Sequence, residues 1–214
     1  MKYYLNELDN INSDLFRRND LINYLINLYD YKSYLEIGVA EGGNFVQIDC
    51  EKKIGVDPYD AYPEITFMMP SDEFFNNNTD MFDIIFIDGL HQKTQVIKDI
   101  ENSLKFLNPK GTIVMHDCLP YSEASQMEEP WSAPIWLGNV WEAFAHYRQD
   151  PSLFMMTLDT DHGLGFIKKG SQQTYELPEK LDYQYFIKNR QSLMNVTSCY
   201  EALEIIKNLH DAGL

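Results

Sequence analysis

The stretches YLEIGVAEGGNF (34–45) and KKIGVDP (52–58) decide the fold. In the first, an apolar run carries an acid, Glu36, and runs into Gly38, Gly42 and Gly43; in the second, a similar run ends on Asp57. Glycines weaken regular structure unless the backbone must turn sharply or approach something closely. Their placement after a strand-length run therefore marks a turn with a ligand to accommodate.

Working outward, SYLEIGV (33–39), KKIGVD (52–57), ITFMM (65–69), FDIIFID (82–88) and GTIVMHD (111–117) are short apolar runs bounded by Gly, Pro or Asp and read as strands. Between the last two, Val96, Ile97, Ile100, Leu104 and Leu107 recur at helical spacing before a Pro-Lys-Gly stop. Leu21, Leu25 and Leu28 stripe another helix beginning near Asn19. Strands apolar on both faces and alternating with helices predict a parallel sheet covered on both sides. GNVWEAFAHYRQD (138–150) predicts one more helix, and LFMMTLDT (153–160) and GLGFIKK (163–169) predict two strands joined by Asp161 and His162 alone. So short a link makes only an antiparallel hairpin. The expected fold is an α/β three-layer sandwich of Rossmann type, with five parallel strands and a terminal antiparallel pair. Residues 1–170 form the expected main domain, and 171–214 extend it with two helices.

In open α/β sheets the ligand lies beyond the carboxyl ends of the strands, and every predicted strand delivers polar groups there. Glu36 with Gly38, Val39, Gly42 and Gly43 follow the first strand, Asp57 ends the second and Ser71 and Asp72 follow the third. Asp88 ends the fourth, and His116 and Asp117 end the fifth. Carboxylates gathered at one edge repel one another unless a ligand or cation relieves them. A nicotinamide dinucleotide would call for G-x-G-x-x-G against its pyrophosphate. Here acids at Glu36 and Glu41 flank the turn, which suits a cofactor bearing an ammonium and a sulfonium. S-adenosylmethionine is such a cofactor, and its ribose hydroxyls would meet Asp57.

Composition limits the rest. The 214 residues hold 44% hydrophobic side chains, enough for one ordinary core. The net charge of −16 repels phosphate backbones and anionic lipid, which disfavours nucleic acid and membrane partners. Cys50, Cys118 and Cys199 form no CxxC, so neither a disulfide framework nor a thiolate zinc site is expected. With no basic-then-apolar leader and no long apolar run, the chain reads as soluble and cytoplasmic. The expected partner is a small-molecule acceptor, with a homodimer left open.

The E-x-G-x-x-x-G turn, the acid after the second strand and the terminal hairpin resemble the class I S-adenosylmethionine-dependent methyltransferases over roughly residues 20–170. FIDGLH (86–91) with VMHDCLP (114–120) is similar to small-molecule enzymes of antibiotic and surface-glycan pathways, the macrocin O-methyltransferase type and relatives of the cephalosporin hydroxylase accessory protein. The resemblance implies Glu36 and the Gly38–Gly43 backbone near the methionine part, Asp57 on the ribose, and Ser71 with Asp72 beside the adenine. It places metal ligands at Asp88, His116 and Asp117, although His116 and Cys118 depart from the usual all-oxygen set. An imidazole there would favour Mn, Fe, Co or Zn over Mg. His91 falls where the catechol-type enzymes carry the lysine that removes the substrate proton, and an imidazole titrates in the range that this role needs.

CLPYSEASQMEEPWSAPIWLG (118–138) is long, irregular and rich in Pro and Trp, the character of a functional loop. Tyr121, Trp131 and Trp136 are its candidate substrate wall. The expected function is O-methylation of a sugar or hydroxylated metabolite, with Asp88 and His91 at the reacting centre. N-methylation of an amino sugar, a cofactor-binding accessory protein and an NAD-dependent oxidoreductase stay open as alternatives.

Overall fold

The computed structural model describes residues 15–130 and 133–214. A sheet of eight strands forms the middle layer. They are β1 (Ser33–Ile37), β2 (Lys52–Asp57), β3 (Phe67–Met68), β4 (Phe82–Ile87), β5 (Leu107–Met115), β6 (Leu153–Leu158), β7 (Leu164–Lys169) and β8 (Val196–Thr197). Their lateral order is β3-β2-β1-β4-β5-β7-β6-β8. The first five strands are parallel, whereas β7 runs antiparallel to both β5 and β6. The chain winds outward from β1 to β3 and returns to lay β4 beside β1. That reversal is the topological switch point, where a crevice opens at the strand ends.

Strand alternation decides which helices sit on which face. Tyr34, Ile84, Phe86 and Val114 pack with Leu21 and Leu25 of α1 (Arg18–Tyr29) and with Leu203 and Ile206 of α6 (Cys199–Asp211). Leu35, Ile37, Ile85, Ile87 and Ile113 face the other way. They meet Phe74 of α2 (Ser71–Asn77), Ile100 of α3 (Lys93–Phe106), Trp141 and Phe144 of α4 (Val140–Tyr147) and Phe186 of α5 (Tyr183–Leu193). Each such fully buried side chain is worth about 1.5–3 kcal/mol, so the two apolar faces of the sheet hold the layers together. Among the described residues, no helix is long and apolar enough to cross a membrane.

Four elements differ from expectation. Leu107 is not the last apolar position of α3 but the first residue of β5, paired with Phe82. Pro109 explains this, because a proline lacks the N–H that a continuing helix needs and biases the residue before it away from helical backbone. The third strand shrinks to Phe67–Met68, an exposed edge pairing only with β2. The hairpin strands stop at Leu158 and start at Leu164, so residues 159–163 form the link, with Asp161 and His162 both at positive φ. Finally, the C-terminal segment adds β8, parallel to β6, between its two helices.

Candidate active site

A cavity of about 620 Å³ opens at the switch point. Its floor is Ile37 and Val56, and its rim includes Gly38, Asp57, Ser71, Asp88 and Trp136. Gly38 has φ +87, and a Cβ there would lie 2.1 Å from the Asp88 carbonyl oxygen. Only glycine lets the loop after β1 cross so closely over the end of β4. Asp57 is buried and ties this loop down. Its Oδ2 accepts from the backbone N–H of Val39 and Ala40, both at 2.9 Å, and its Oδ1 accepts from Tyr59 N–H at 2.9 Å. A carboxylate offers about four acceptor positions, so one is left, and Asp57 is among the residues that line the cavity.

On the far wall, the Ser71 hydroxyl donates to Asp99 Oδ1 at 2.6 Å, and Gln95 Nε2 donates to Asp99 Oδ1 at 3.2 Å. Asp99 lines the cavity, and burial pushes its carboxyl up to about 6, against the lowering pull of Ser71 and Gln95. Asp72 does not line it; Gln95 and Lys98 hold its carboxylate at 3.0 and 3.1 Å. Asp99 was invisible as a site residue because it reads as a polar interruption in the buried stripe of α3. The available signal was its register with Val96, Ile100 and Ser103, all buried.

Glu36 lies within β1, not in the turn after it. Side chains two apart on a strand share a face, which puts Glu36 with Tyr34 on the α1 side and leaves Ile37 to line the cavity. Its Oε2 accepts from the Tyr34 hydroxyl and from Asn44 Nδ2. Burial is the larger influence and raises the Glu36 carboxyl to about 7. Gly42 and Gly43 continue the loop and do not line the cavity.

Asp88 joins the cavity to a cluster of charged groups. Its Oδ1 lies 3.3 Å from His91 Nε2 and 3.3 Å from His116 Nδ1. His116 Nδ1 is also 2.9 Å from Asp117 Oδ1, and His91 Nδ1 is 3.3 Å from Asp117 Oδ2 and from the Trp136 carbonyl. The four residues grouped from the sequence thus meet. Two further members come from distant segments: Asp161, in the hairpin link, and Arg18, at the start of α1. Arg18 Nη1 donates to Asp88 Oδ2 at 2.5 Å, and its Nε to Asp161 Oδ2 at 3.1 Å. Asp117 and Asp161 both hold positive φ, at 60 and 45, uncommon backbone that tends to gather at functional sites.

The electrostatics are mutual. Burial opposes charge throughout, yet His116, His91 and Arg18 together hold Asp88 well below the usual carboxylate range. Burial likewise lowers both imidazoles, but the surrounding carboxylates outweigh it and raise His91 and, more strongly, His116. Asp88, His116 and Asp117 each offer a donor atom within 4.8 Å of the others, a spacing and donor set that suit a divalent cation. His116 Nε2 is buried without a hydrogen-bond partner and stands 3.6 Å from Asp161 Oδ1.

Of the proposed substrate wall, Trp136 lines the cavity, with its ring 5.2 Å from that of His91 and its Nε1 donating to Met127 O at 2.7 Å. Tyr121 is elsewhere: its hydroxyl donates to Ile135 O at 2.8 Å, and its ring borders a separate cavity with Asp161, His162 and Arg190. Trp131 lies outside the described residues. The loop closes back on the site at Gly138, where φ is +61 and a Cβ would meet the His91 carbonyl at 1.9 Å.

A family model described as a methyltransferase domain matches residues 35–118, the span from β1 through the His116–Asp117 end of β5. No curated protein matches the sequence. Among solved structures, a candidate O-methyltransferase from Klebsiella pneumoniae shares 16% identity at a TM-score of 0.58, covering 78% of this chain and 86% of its own. The O-methyltransferase TomG from Streptomyces achromogenes, involved in tomaymycin synthesis and solved with S-adenosylmethionine, gives 12% and 0.55, covering 72% and 80%. The S-adenosylhomocysteine-bound methyltransferase PaMTH1 from Podospora anserina gives 16% and 0.56, covering 72% and 78%. At these identities the structures establish the fold alone, and the family match is confined to residues 35–118. Those residues match a methyltransferase domain, and the chain shares the α/β fold of these solved methyltransferases.

Proposed function

We propose that this enzyme methylates a hydroxyl oxygen of a small molecule, a sugar or hydroxylated metabolite. One observation carries the reading. The cavity at the switch point and the carboxylate–imidazole cluster share Asp88, so a methyl donor held in the first would abut proton-accepting groups in the second. TomG is described as an O-methyltransferase and the Klebsiella protein as a candidate one, which favours oxygen as the acceptor.

In this reading Asp57 accepts from the ribose hydroxyls, Ser71 and Asp99 border the adenine, and the backbone at Gly38 and Ala40 runs beside the methionine part. S-adenosylmethionine, when bound, supplies an electrophilic methyl on a positively charged sulfur. The cavity would set the acceptor hydroxyl toward that methyl group, and His91 would take the hydroxyl proton. Both His91 nitrogens lie against acceptors in the structure. An entering hydroxyl would therefore take the place of Asp88 at Nε2, and the raised imidazole would be competent as a base mainly on the alkaline side of its usual range. Asp88, His116 and Asp117 would hold a divalent cation, whose chemistry there is to lower the pKa of a bound hydroxyl.

Titration calorimetry with S-adenosylhomocysteine and with NAD tests the donor site, and a screen of hydroxylated metabolites for a methyl mass gain tests the acceptor. Binding of S-adenosylhomocysteine with no response to NAD is expected; the converse would sink the proposal.

A further inference from the structure

Arg18 is the least expected member of the cluster. It is the first residue of α1, yet its side chain crosses to the ends of two strands that lie far away in sequence. Nη1 reaches Asp88 Oδ2 at 2.5 Å. Nε and the backbone N–H of the same residue both donate to Asp161 Oδ2, at 3.1 and 3.0 Å. Asp161 in turn holds positive φ in the hairpin link, where its side chain is 6% exposed. An exposed helix-end ion pair would be worth little and would be easily replaced. Here one guanidinium instead bridges two largely buried carboxylates, with its fork engaged on both sides.

The same Asp88 is a member of the only group of three described side chains with the spacing of a cation site. Its two oxygens are divided: Oδ2 serves Arg18, while Oδ1 faces His91 and His116. A divalent ion held by Asp88, His116 and Asp117 would bring two more positive charges beside the guanidinium. Even at the dielectric constant of water, repulsion between a divalent ion and a guanidinium about 5 Å apart corresponds to about tenfold in affinity.

We infer that Arg18 is a built-in counter-cation for the Asp88 cluster, and that it and a divalent ion compete for the same carboxylate, so that Arg18 sets how tightly this enzyme holds a metal. The inference rests on the reading of Asp88, His116 and Asp117 as a cation site in the proposed enzyme. Its consequence concerns charge at a fixed place: a neutral residue at position 18 strengthens metal binding, and a lysine does not.

The test is Mn²⁺ binding to the full chain, read from the loss of the free-ion electron paramagnetic resonance signal, in wild type and in Arg18→Met, Arg18→Gln and Arg18→Lys. Arg18→Gln keeps a hydrogen-bond donor toward Asp88 and Asp161, which guards against a variant that simply fails to fold, and circular dichroism checks each protein. About tenfold or greater tightening is expected in Arg18→Gln, and in Arg18→Met where it folds, with Arg18→Lys near wild type. Equal or weaker Mn²⁺ binding in folded Arg18→Gln would overturn the inference, as would no Mn²⁺ binding by any variant. S-adenosylhomocysteine affinity, measured on the same samples, separates these outcomes from failure of the methyltransferase reading: its retention beside an unchanged Mn²⁺ affinity removes the competition and leaves the enzyme.

Discussion

Replacing Glu36 with Gln should change the pH dependence of stability in a predictable direction. Glu36 is 1% exposed, and its carboxyl is raised from 4.5 to about 7 because burial outweighs the bonds from Tyr34 and Asn44. The folded state therefore holds a proton that the unfolded state has already released between these two values. Stability is fully present below pH 4.5 and falls as pH rises through 7, by about 3 kcal/mol in all. Tyr34 and Asn44 both donate to Oε2, so the carbonyl oxygen of a glutamine can keep both bonds. The new amide N–H₂ costs about 1–3 kcal/mol if it finds no acceptor, but that cost does not vary with pH. The informative quantity is thus the difference between the two proteins at pH 5 and at pH 8, from urea unfolding midpoints and slopes. Relative to wild type, Glu36→Gln should gain about 2.5 kcal/mol between these two pH values. Parallel profiles would show that Glu36 titrates normally and that its burial costs nothing.

Asp57→Ala should weaken S-adenosylhomocysteine binding by about ten- to a hundredfold, the worth of a charge-assisted hydrogen bond. It should also lower the melting temperature, because the N–H groups of Val39, Ala40 and Tyr59 lose their acceptor; unchanged affinity by calorimetry would remove Asp57 from the cofactor site. His91→Ala should reduce turnover by about 10²- to 10⁴-fold with cofactor affinity nearly intact. The neighbouring carboxylates raise the His91 pKa, so the wild-type rate should climb with pH through a midpoint above that of a free imidazole. Near-normal turnover in the variant, with the same climb, would assign the proton to another group.

The layered α/β sheet was legible because it is written in local pattern. Apolar runs such as FDIIFID need no knowledge of their partners to be recognised as strands buried on both faces, and the glycines after β1 announce a turn that bulky residues cannot make. Strand-end polar groups were legible by the same logic, since parallel strands all point one way and their last residues must share an edge. That is why Asp88, His116 and Asp117 could be grouped before their distances were known.

What the sequence could not supply is contact between segments that no periodicity links. Asp99 looks like any polar residue on a helix until the packing of α3 turns it into the cavity. Glu36 looks like a turn acid until strand alternation carries it to the opposite face from Ile37. Arg18 and Asp161 are 143 positions apart, and only the placement of α1 over the hairpin link brings them to Asp88. By itself, then, the sequence determined the parallel strands, the closing hairpin and the polar groups at the strand ends, because backbone hydrogen bonding and apolar burial follow local period. Strand β8 and the shortness of β3 came only with the structure. The tertiary structure alone decided which charges meet, since an ion pair depends on the distance between side chains in space and leaves no spacing in the chain to mark it.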